Sequence, residues 1–174
     1  MKECRVFDLG LKDYAEVLEL QHQLVEKKHQ ENLAEILLLV EHNPVITLGR
    51  SAHPENILLD KEQLEKLNIQ LHYIERGGDV TYHGPGQLVA YPLFNLNYYN
   101  QDTHLFLRLL EEVIIKTVES YHLKPQRVKG LTGVWVEDKK VASIGVAAKK
   151  WITFHGLALN VNTDLKHFSY IHPC

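Results

Sequence analysis

Sulfur is scarce in this chain: two cysteines, Cys4 and Cys174, and a single methionine among 174 residues. Two cysteines at opposite ends of a sequence make neither a disulfide framework nor a metal-binding pair. Long apolar runs are missing too. The longest, residues 36–40, is far short of the ~20 residues that a membrane helix needs. No apolar core follows Met1-Lys2-Glu3-Cys4-Arg5, and the first thirty residues are too acidic for a transit peptide, so the expected location is cytoplasmic. Charge of one sign is lacking as well. Nineteen Lys and Arg against 22 Asp and Glu leave a net charge of -3 and a pI near 6.4, which excludes a basic nucleic-acid surface. Internal repeats, low-complexity tracts and linkers are all absent, so residues 1–174 are expected to form one domain acting as a monomer.

What is present is ordinary for a globular protein: 45% hydrophobic and 24% charged residues, in a chain long enough to bury a sizeable core. Eleven histidines are many. None forms an H-x-x-x-H pair or a Cys–His cluster at zinc spacing, so no metal is expected and solvated surface positions account for most of them.

Apolar periodicity predicts a helix over 14–33, anchored by Val17, Leu18, Leu24 and Val25. Residues 35–41 and 45–49 read as two strands joined tightly through His42-Asn43-Pro44. Asp60 followed by Gln63 resembles a capping box that starts a short helix carrying Leu64 and Leu67. Strands are predicted at 69–75 and 87–96. The strongest helical pattern covers 102–122, with Leu105, Leu109, Val113, Ile114, Thr117 and Val118 at helical spacing. After Pro125 the period changes to that of strands, at 133–136, 140–148 and 154–161. Asp164 is placed to cap a last short helix that runs to residue 170 and stops near Pro173. The mixture predicts an α+β or mixed α/β domain.

The most informative stretch is Arg76-Gly77-Gly78-Asp79-Val80-Thr81-Tyr82-His83-Gly84-Pro85-Gly86-Gln87. Four glycines and a proline in twelve residues exclude a helix and predict a loop between two strands. Glycine at this density lets backbone approach a ligand closely. Arg76 either holds a phosphate or organises the loop. His83, and His155 further on, either assist proton transfer or hydrogen-bond the loops together, the second being the commoner role.

This stretch resembles the signature of the lipoyl-synthesis octanoyltransferases. Three further segments resemble the same family in the same order: Lys140-Val141-Ala142-Ser143-Ile144-Gly145, Thr153-Phe154-His155-Gly156-Leu157-Ala158-Leu159-Asn160, and the closing Pro173-Cys174. The likeness runs from about residue 30 to the end. It implies the biotin/lipoate protein ligase-like fold, a mixed sheet packed with helices. It also implies transfer of an octanoyl group from octanoyl-acyl carrier protein to a lysine of a lipoyl domain. The acceptors would be the 2-oxoacid dehydrogenase E2 subunits and the glycine cleavage H protein, and no cofactor is implied.

On residue type alone, Cys174 reads as a small buried hydrophobe and Lys140 as a solvated lysine in a hairpin. The resemblance makes Cys174 the nucleophile and Lys140 its partner. An ordinary thiol, with a pKa of about 8.5, is only ~3% thiolate at pH 7, and a neighbouring ammonium raises that fraction. Strict alternation from residue 139 puts Lys140 on one strand face with Ala142 and Ile144. Arg76 to His83, Ser143, Ile144, Gly145 and the run His155-Gly156-Leu157-Ala158 are expected to shape the acyl pocket, with Gly77, Gly78, Gly84, Gly145 and Gly156 forming a narrow wall. Gly156 is expected to let the ligand lie close to its strand. Family members continue past the cysteine, whereas this sequence stops at it, and His172 stands where Asn is commoner. Two alternatives remain at this level. An ATP-dependent lipoate or biotin ligase would show a G-G-G-A-V-Y-H-D-type loop, and this chain lacks its third glycine. A non-catalytic acyl-binding module would carry an inert thiol.

Overall fold

The computed structural model describes residues 3–31 and 33–172. Cys174 and Pro173 lie outside the described residues. The elements in chain order are β1 (Cys4–Lys12), α1 (Tyr14–Gln30), β2 (Glu35–His42), β3 (Val45–Leu48), α2 (Lys61–Lys66), β4 (Gln70–Tyr73), β5 (Val80–His83), β6 (Gln87–Leu93), α3 (Thr103–Glu119), β7 (Pro125–Gln126), β8 (Val134–Val136), β9 (Lys139–Lys149) and β10 (Ile152–Asn160). A 3-10 segment follows at Leu165–Tyr170.

The helices begin where side-chain oxygens can take up their free N–H groups. Asp13 accepts from Ala15 and Glu16, Asp102 from Leu105, and Asp60 with Gln63 forms the reciprocal capping box that the sequence predicts. α1 buries Tyr14, Val17, Gln21, Val25 and Lys28, a single stripe at helical spacing. Two of these five are polar, and each is bonded. Lys28 Nζ donates to the carbonyls of Leu33 and Ala34 and lies 3.1 Å from Glu35.

The strands form a seven-stranded sheet, β1-β2-β6-β10-β9-β8-β7, and a three-stranded sheet, β4-β3-β5. Both are mixed: β1–β2 and β3–β4 are parallel and the other pairings antiparallel. α1 packs on one face of the large sheet through Val17 and Val25 against Leu38, Val40, Val89, Tyr91, Phe154 and Ala158. α3 covers the other face through Phe106, Leu110, Ile114 and Val118 against Ala90, Val134, Ala142 and Leu157. β10 is therefore buried on both faces from Ile152 to Ala158, which explains its nearly unbroken apolar sequence. The small sheet has its own core of Ile46, Leu48, Val80 and Tyr82 with Leu64 of α2 and Ile171.

The two strands expected on either side of Asn43-Pro44 are present, β2 in the large sheet and β3 in the small one, so the tight connection links the two sheets. One expectation changes. Val80–His83 is a strand and not loop, paired antiparallel with β3; the glycines on either side of it form the turns. β1 escaped the sequence reading because it is an edge strand with eight of its nine residues exposed, so it carries no alternating pattern.

Gly156 is constrained by strand packing. A Cβ there would overlap the carbonyl oxygen of Ala90 and lie 2.7 Å from Pro92 Cδ. The space its hydrogen leaves is filled by neighbouring strand β6, so strand packing by itself requires a glycine here, and the same residue borders the cavity described below. Gly156→Ala is expected to destabilise the fold by about 1–3 kcal/mol, the usual penalty for overpacking, read as a lowered urea midpoint at unchanged slope.

Candidate active site

A cavity of about 320 Å³ lies between the α1 face of the large sheet and the small sheet. Its floor is read from the register. Val89, Ala158 and Ser143 are cross-strand partners in one row, and Gly156 and Gly145 pair in the next. Ile144 and Leu157, whose side chains pack on the α3 side, also border the cavity. Arg76, Gly77, Gly78, Asp79, Val80, Thr81 and His83 form the roof, and Tyr14 closes one end. Lys140 reaches the same cavity. All the site residues expected from sequence within the described chain therefore meet in one place, except Tyr82 and Gly84.

Tyr82 is buried but turned away. Its ring stacks on His167 at 4.8 Å between centroids and meets Phe168 edge-on at 5.7 Å. It supports the 3-10 segment instead of lining the pocket. Gly84 also leaves the expected wall, because a Cβ there would overlap the Tyr82 hydroxyl. Gly86, at φ +81°, accepts from the N–H groups of Val161 and Asn162. The Gly84-Pro85-Gly86 turn thus grips the segment leading to the C-terminal residues.

The roof is pinned to the floor at one seam. Gly77 N–H donates to Val146 O at 3.0 Å. A Cβ on Gly145 would sit 2.7 Å from Gly77 O and 3.2 Å from Arg76 Cδ. Arg76 is buried, and its guanidinium donates to Thr47 O at 2.7 Å, to Thr47 Oγ1 and to Gly77 O. Of the two roles open to it, these bonds belong to organising the loop. Asp79 also works structurally: it accepts from the backbone N–H groups of His53 and Val80 and from Asn56 Nδ2. Asn56 O in turn accepts from His172 N–H at 2.8 Å. The chain is therefore fastened beside the cavity roof two residues before Cys174.

Lys140 enters the cavity through a β-bulge. Val136 pairs with Lys139 and Trp135 with Lys140, but Val134 pairs with Ala142, so β9 holds one extra residue there. The extra residue reverses the alternation. Lys140 no longer shares a face with Ala142 and Ile144, which look toward α3; it joins Ser143 and Gly145 on the cavity side. Its ammonium stands over the Trp135 ring, 5.1 Å from the centroid.

The histidines are held neutral. Gln87 Nε2 donates to Tyr82 O and Asn160 Oδ1, so its Oε1 accepts, and His83 Nδ1 must donate to it at 2.7 Å. His83 then presents an unprotonated Nε2. Burial, followed by the charge of His42, pushes its pKa down to about 3. His42 Nδ1 donates to Lys12 O, so its Nε2 accepts from the Tyr91 hydroxyl at 2.8 Å; burial lowers its pKa to about 4. His155 is buried in a left-handed conformation, φ +55°, with its backbone N–H donating to Gln21 Oε1 at 2.7 Å. Burial lowers its pKa to about 4 although Glu75 Oε2 lies 3.7 Å away. His155 pairs with Val146, six positions along β9 from Lys140, or roughly 20 Å at 3.3 Å per residue. It lies at the opposite end of the cavity and cannot exchange a proton with Lys140 directly.

Tyr14, Tyr91, Val89 and the loop Gly130-Leu131-Thr132 also line the cavity, and the sequence did not single them out. Gly130 and Gly133, close together before a strand, were the available signal for the loop. Tyr14 and Tyr91 gave none, because they read as ordinary core positions. Among the described residues, no group of three or more His, Cys, Asp or Glu side chains is placed to hold a metal ion, and no helix is long and apolar enough to cross a membrane.

A family model for the lipoyl protein ligase A/B catalytic domain matches residues 13–173. An octanoyltransferase of Solibacter usitatus is 49% identical over 174 residues, all of this chain and 79% of that protein. This chain belongs to the octanoyltransferase family. Another octanoyltransferase, from Syntrophotalea carbinolica, is 52% identical over 96% of this chain and 76% of its own length. The chain is accordingly an acyltransferase. Solved structures extend the likeness in fold. The bi-partite lipoate protein ligase of Thermoplasma acidophilum superposes with a TM-score of 0.76 at 19% identity, over 98% of this chain and 66% of that one. A lipoate-protein ligase A bound with ATP gives 0.70 at 17% identity, over 98% and 70%. The biotin/lipoate ligase-like fold expected from the motifs is the observed one.

Three buried neutral histidines make the fold acid-sensitive. In the unfolded chain they titrate near 6.5, but in the folded chain only near 3 to 4. Between these values the unfolded state binds more protons, so stability is full above about pH 6.5 and is lost as pH falls. Urea midpoints measured from pH 7 to pH 5 are expected to decline, with a shallower decline in His83→Gln.

Proposed function

We propose that this enzyme moves an octanoyl group from octanoyl-acyl carrier protein to a lysine of lipoyl domains, the first step of protein lipoylation, through a thioester on Cys174. The acceptors are the lipoyl domains of 2-oxoacid dehydrogenase E2 subunits and the glycine cleavage H protein, and one copy of the chain suffices. The observation that carries the reading is the convergence of Lys140, the Arg76–Gly78 turn and the Ser143, Gly145 and Ala158 floor on one acyl-sized cavity. The anchoring of His172 at its roof supports it.

In the first half-reaction the Cys174 thiolate attacks the thioester carbonyl, the tetrahedral intermediate collapses, and the phosphopantetheine thiolate leaves and takes up a proton. A thioester is exchanged for a thioester, so the step is nearly isoenergetic. The Lys140 ammonium stabilises the attacking thiolate. In the second half-reaction the acceptor lysine, deprotonated, attacks the Cys174 thioester. An amide forms, the Cys174 thiol is regenerated, and one proton from the original ammonium is released. Lys140 serves here as the base. Amide stability drives the step without ATP. The apolar floor holds the alkyl chain at about 0.8 kcal/mol per buried methylene.

The test is intact mass spectrometry after mixing the chain with octanoyl-acyl carrier protein and no ATP. One added octanoyl group, mapped to Cys174 and removed by hydroxylamine, is the expected result. An adduct elsewhere, or transfer that proceeds normally in Cys174→Ser, contradicts the mechanism. Lys140→Ala is expected to slow both half-reactions by about 10²–10⁴-fold, the usual contribution of a positioned acid–base group, in single-turnover assays of each.

A further inference from the structure

A buried carboxylate that the transfer chemistry does not use is bonded to Gly133, the residue against which Lys140 lies. Glu111 of α3 has a side chain with 0% exposure. Its Oε2 accepts from Arg108 Nη1 at 2.7 Å and Arg127 Nε at 2.9 Å, and its Oε1 accepts from the backbone N–H of Gly133 at 3.2 Å. Arg127 and Gly133 are the two ends of one loop. Between them, Gly130, Leu131 and Thr132 line the cavity. One carboxylate therefore ties both ends of a cavity wall to α3.

Gly133 is also the surface on which Lys140 rests. Its φ is +139°, and a Cβ there would lie 2.6 Å from Lys140 Cε, 2.7 Å from Ala142 O and 3.3 Å from the Trp135 ring. The alkyl chain of Lys140 thus runs against bare backbone at Gly133, with its ammonium over Trp135. Movement of Gly133 moves the support of Lys140. A buried carboxylate is retained only where its partners offset the loss of water. Here those partners are Arg108, Arg127 and the Gly133 N–H, which outweigh burial and hold Glu111 below the usual carboxylate range.

We propose that Glu111 is a positioning residue for Lys140: by fixing Gly133 and the 127–133 loop, it sets where the Lys140 ammonium stands in the cavity. The inference rests on reading Lys140 as the partner of Cys174. It assigns Glu111 a geometric role, exerted through its acceptor oxygen to Gly133. Glu111→Gln retains that acceptor and should keep more function than Glu111→Ala.

The experiment is the pH profile of Cys174 alkylation by iodoacetamide, followed by peptide mapping to separate it from Cys4. It is run on wild type, Glu111→Ala, Glu111→Gln and Lys140→Ala, with octanoyl transfer measured alongside. Lys140→Ala is expected to raise the apparent pKa of the Cys174 thiol. Glu111→Ala should shift it the same way and slow transfer by up to about 100-fold, the scale of an ångström misplacement, with Glu111→Gln in between. A Glu111→Ala protein with the wild-type profile, where Lys140→Ala shifts it, overturns the inference and leaves the Lys140 reading intact. A Lys140→Ala protein with the wild-type profile overturns the Lys140 reading, and this inference with it. Gly133→Ala, which keeps Glu111 but places a methyl against Lys140 Cε, serves if Glu111→Ala does not fold. It is expected to shift the profile likewise, and an unshifted profile again overturns the inference.

Discussion

The site depends on the close approach of the Arg76–Gly78 turn to strand β9. Backbone meets backbone there, with the Arg76 side chain alongside. Gly77 donates to Val146 O, and Gly145 presents no side chain beneath Gly77 O. A Cβ at residue 145 would lie 2.7 Å from Gly77 O and push the turn away from β9. Arg76 holds the turn from above by directing its charge into the Thr47 carbonyl and hydroxyl. The roof is therefore a rigid part of the fold and not a free loop.

A second constraint acts at the other end of the cavity. The bulge in β9 turns Lys140 toward the cavity, and Gly133 makes room for its chain. Bulges next to active sites commonly re-aim a side chain. Here one extra residue converts an α3-facing position into a cavity-facing one without disturbing the register of β9 against β10, which runs unbroken from Ala142 to Lys149. The two constraints share one strand: β9 carries both the lysine and the glycine of the seam.

Between these ends the buried polar groups are mostly committed to one another. His42 and Tyr91, His83 and Gln87, and Asp79 and Asn56 form bonded pairs. Burial keeps the histidines uncharged, so they add shape and hydrogen-bonding capacity to the wall without adding charge.

Much of this was readable from the residues alone. Asp60 with Gln63 and the both-faces-apolar run of β10 each carry a local cause, and a local cause is visible in one dimension. The extent of α3 was readable too, but its buried face was not: of the six positions expected to anchor it, Leu105, Leu109, Val113 and Thr117 are exposed, and the stripe that packs on the sheet is Phe106, Leu110, Glu111, Ile114 and Val118, because the sheet beneath the helix sets which side it buries. The motifs identified the family, and those within the described residues gave most of the cavity lining, because they place unusual residues, glycines above all, where backbone approaches backbone. What the sequence could not contain was parity and partnership. The bulge at β9 reverses the face of Lys140, and only pairing with β8 reveals it. Tyr82 sits in the midst of the signature yet faces the 3-10 segment, because β5 is a strand and alternate residues point opposite ways. Gly156 is a glycine on account of Ala90 O, a strand away and 66 positions earlier in the chain. Glu111 reads in sequence as one more acid on a helix, and its burial with Arg108, Arg127 and Gly133 exists only once α3 packs on the sheet. Residue type and spacing determined which chemistry was available. Tertiary packing decided which side chains face the cavity, because facing is a property of pairs of strands and no single strand possesses it.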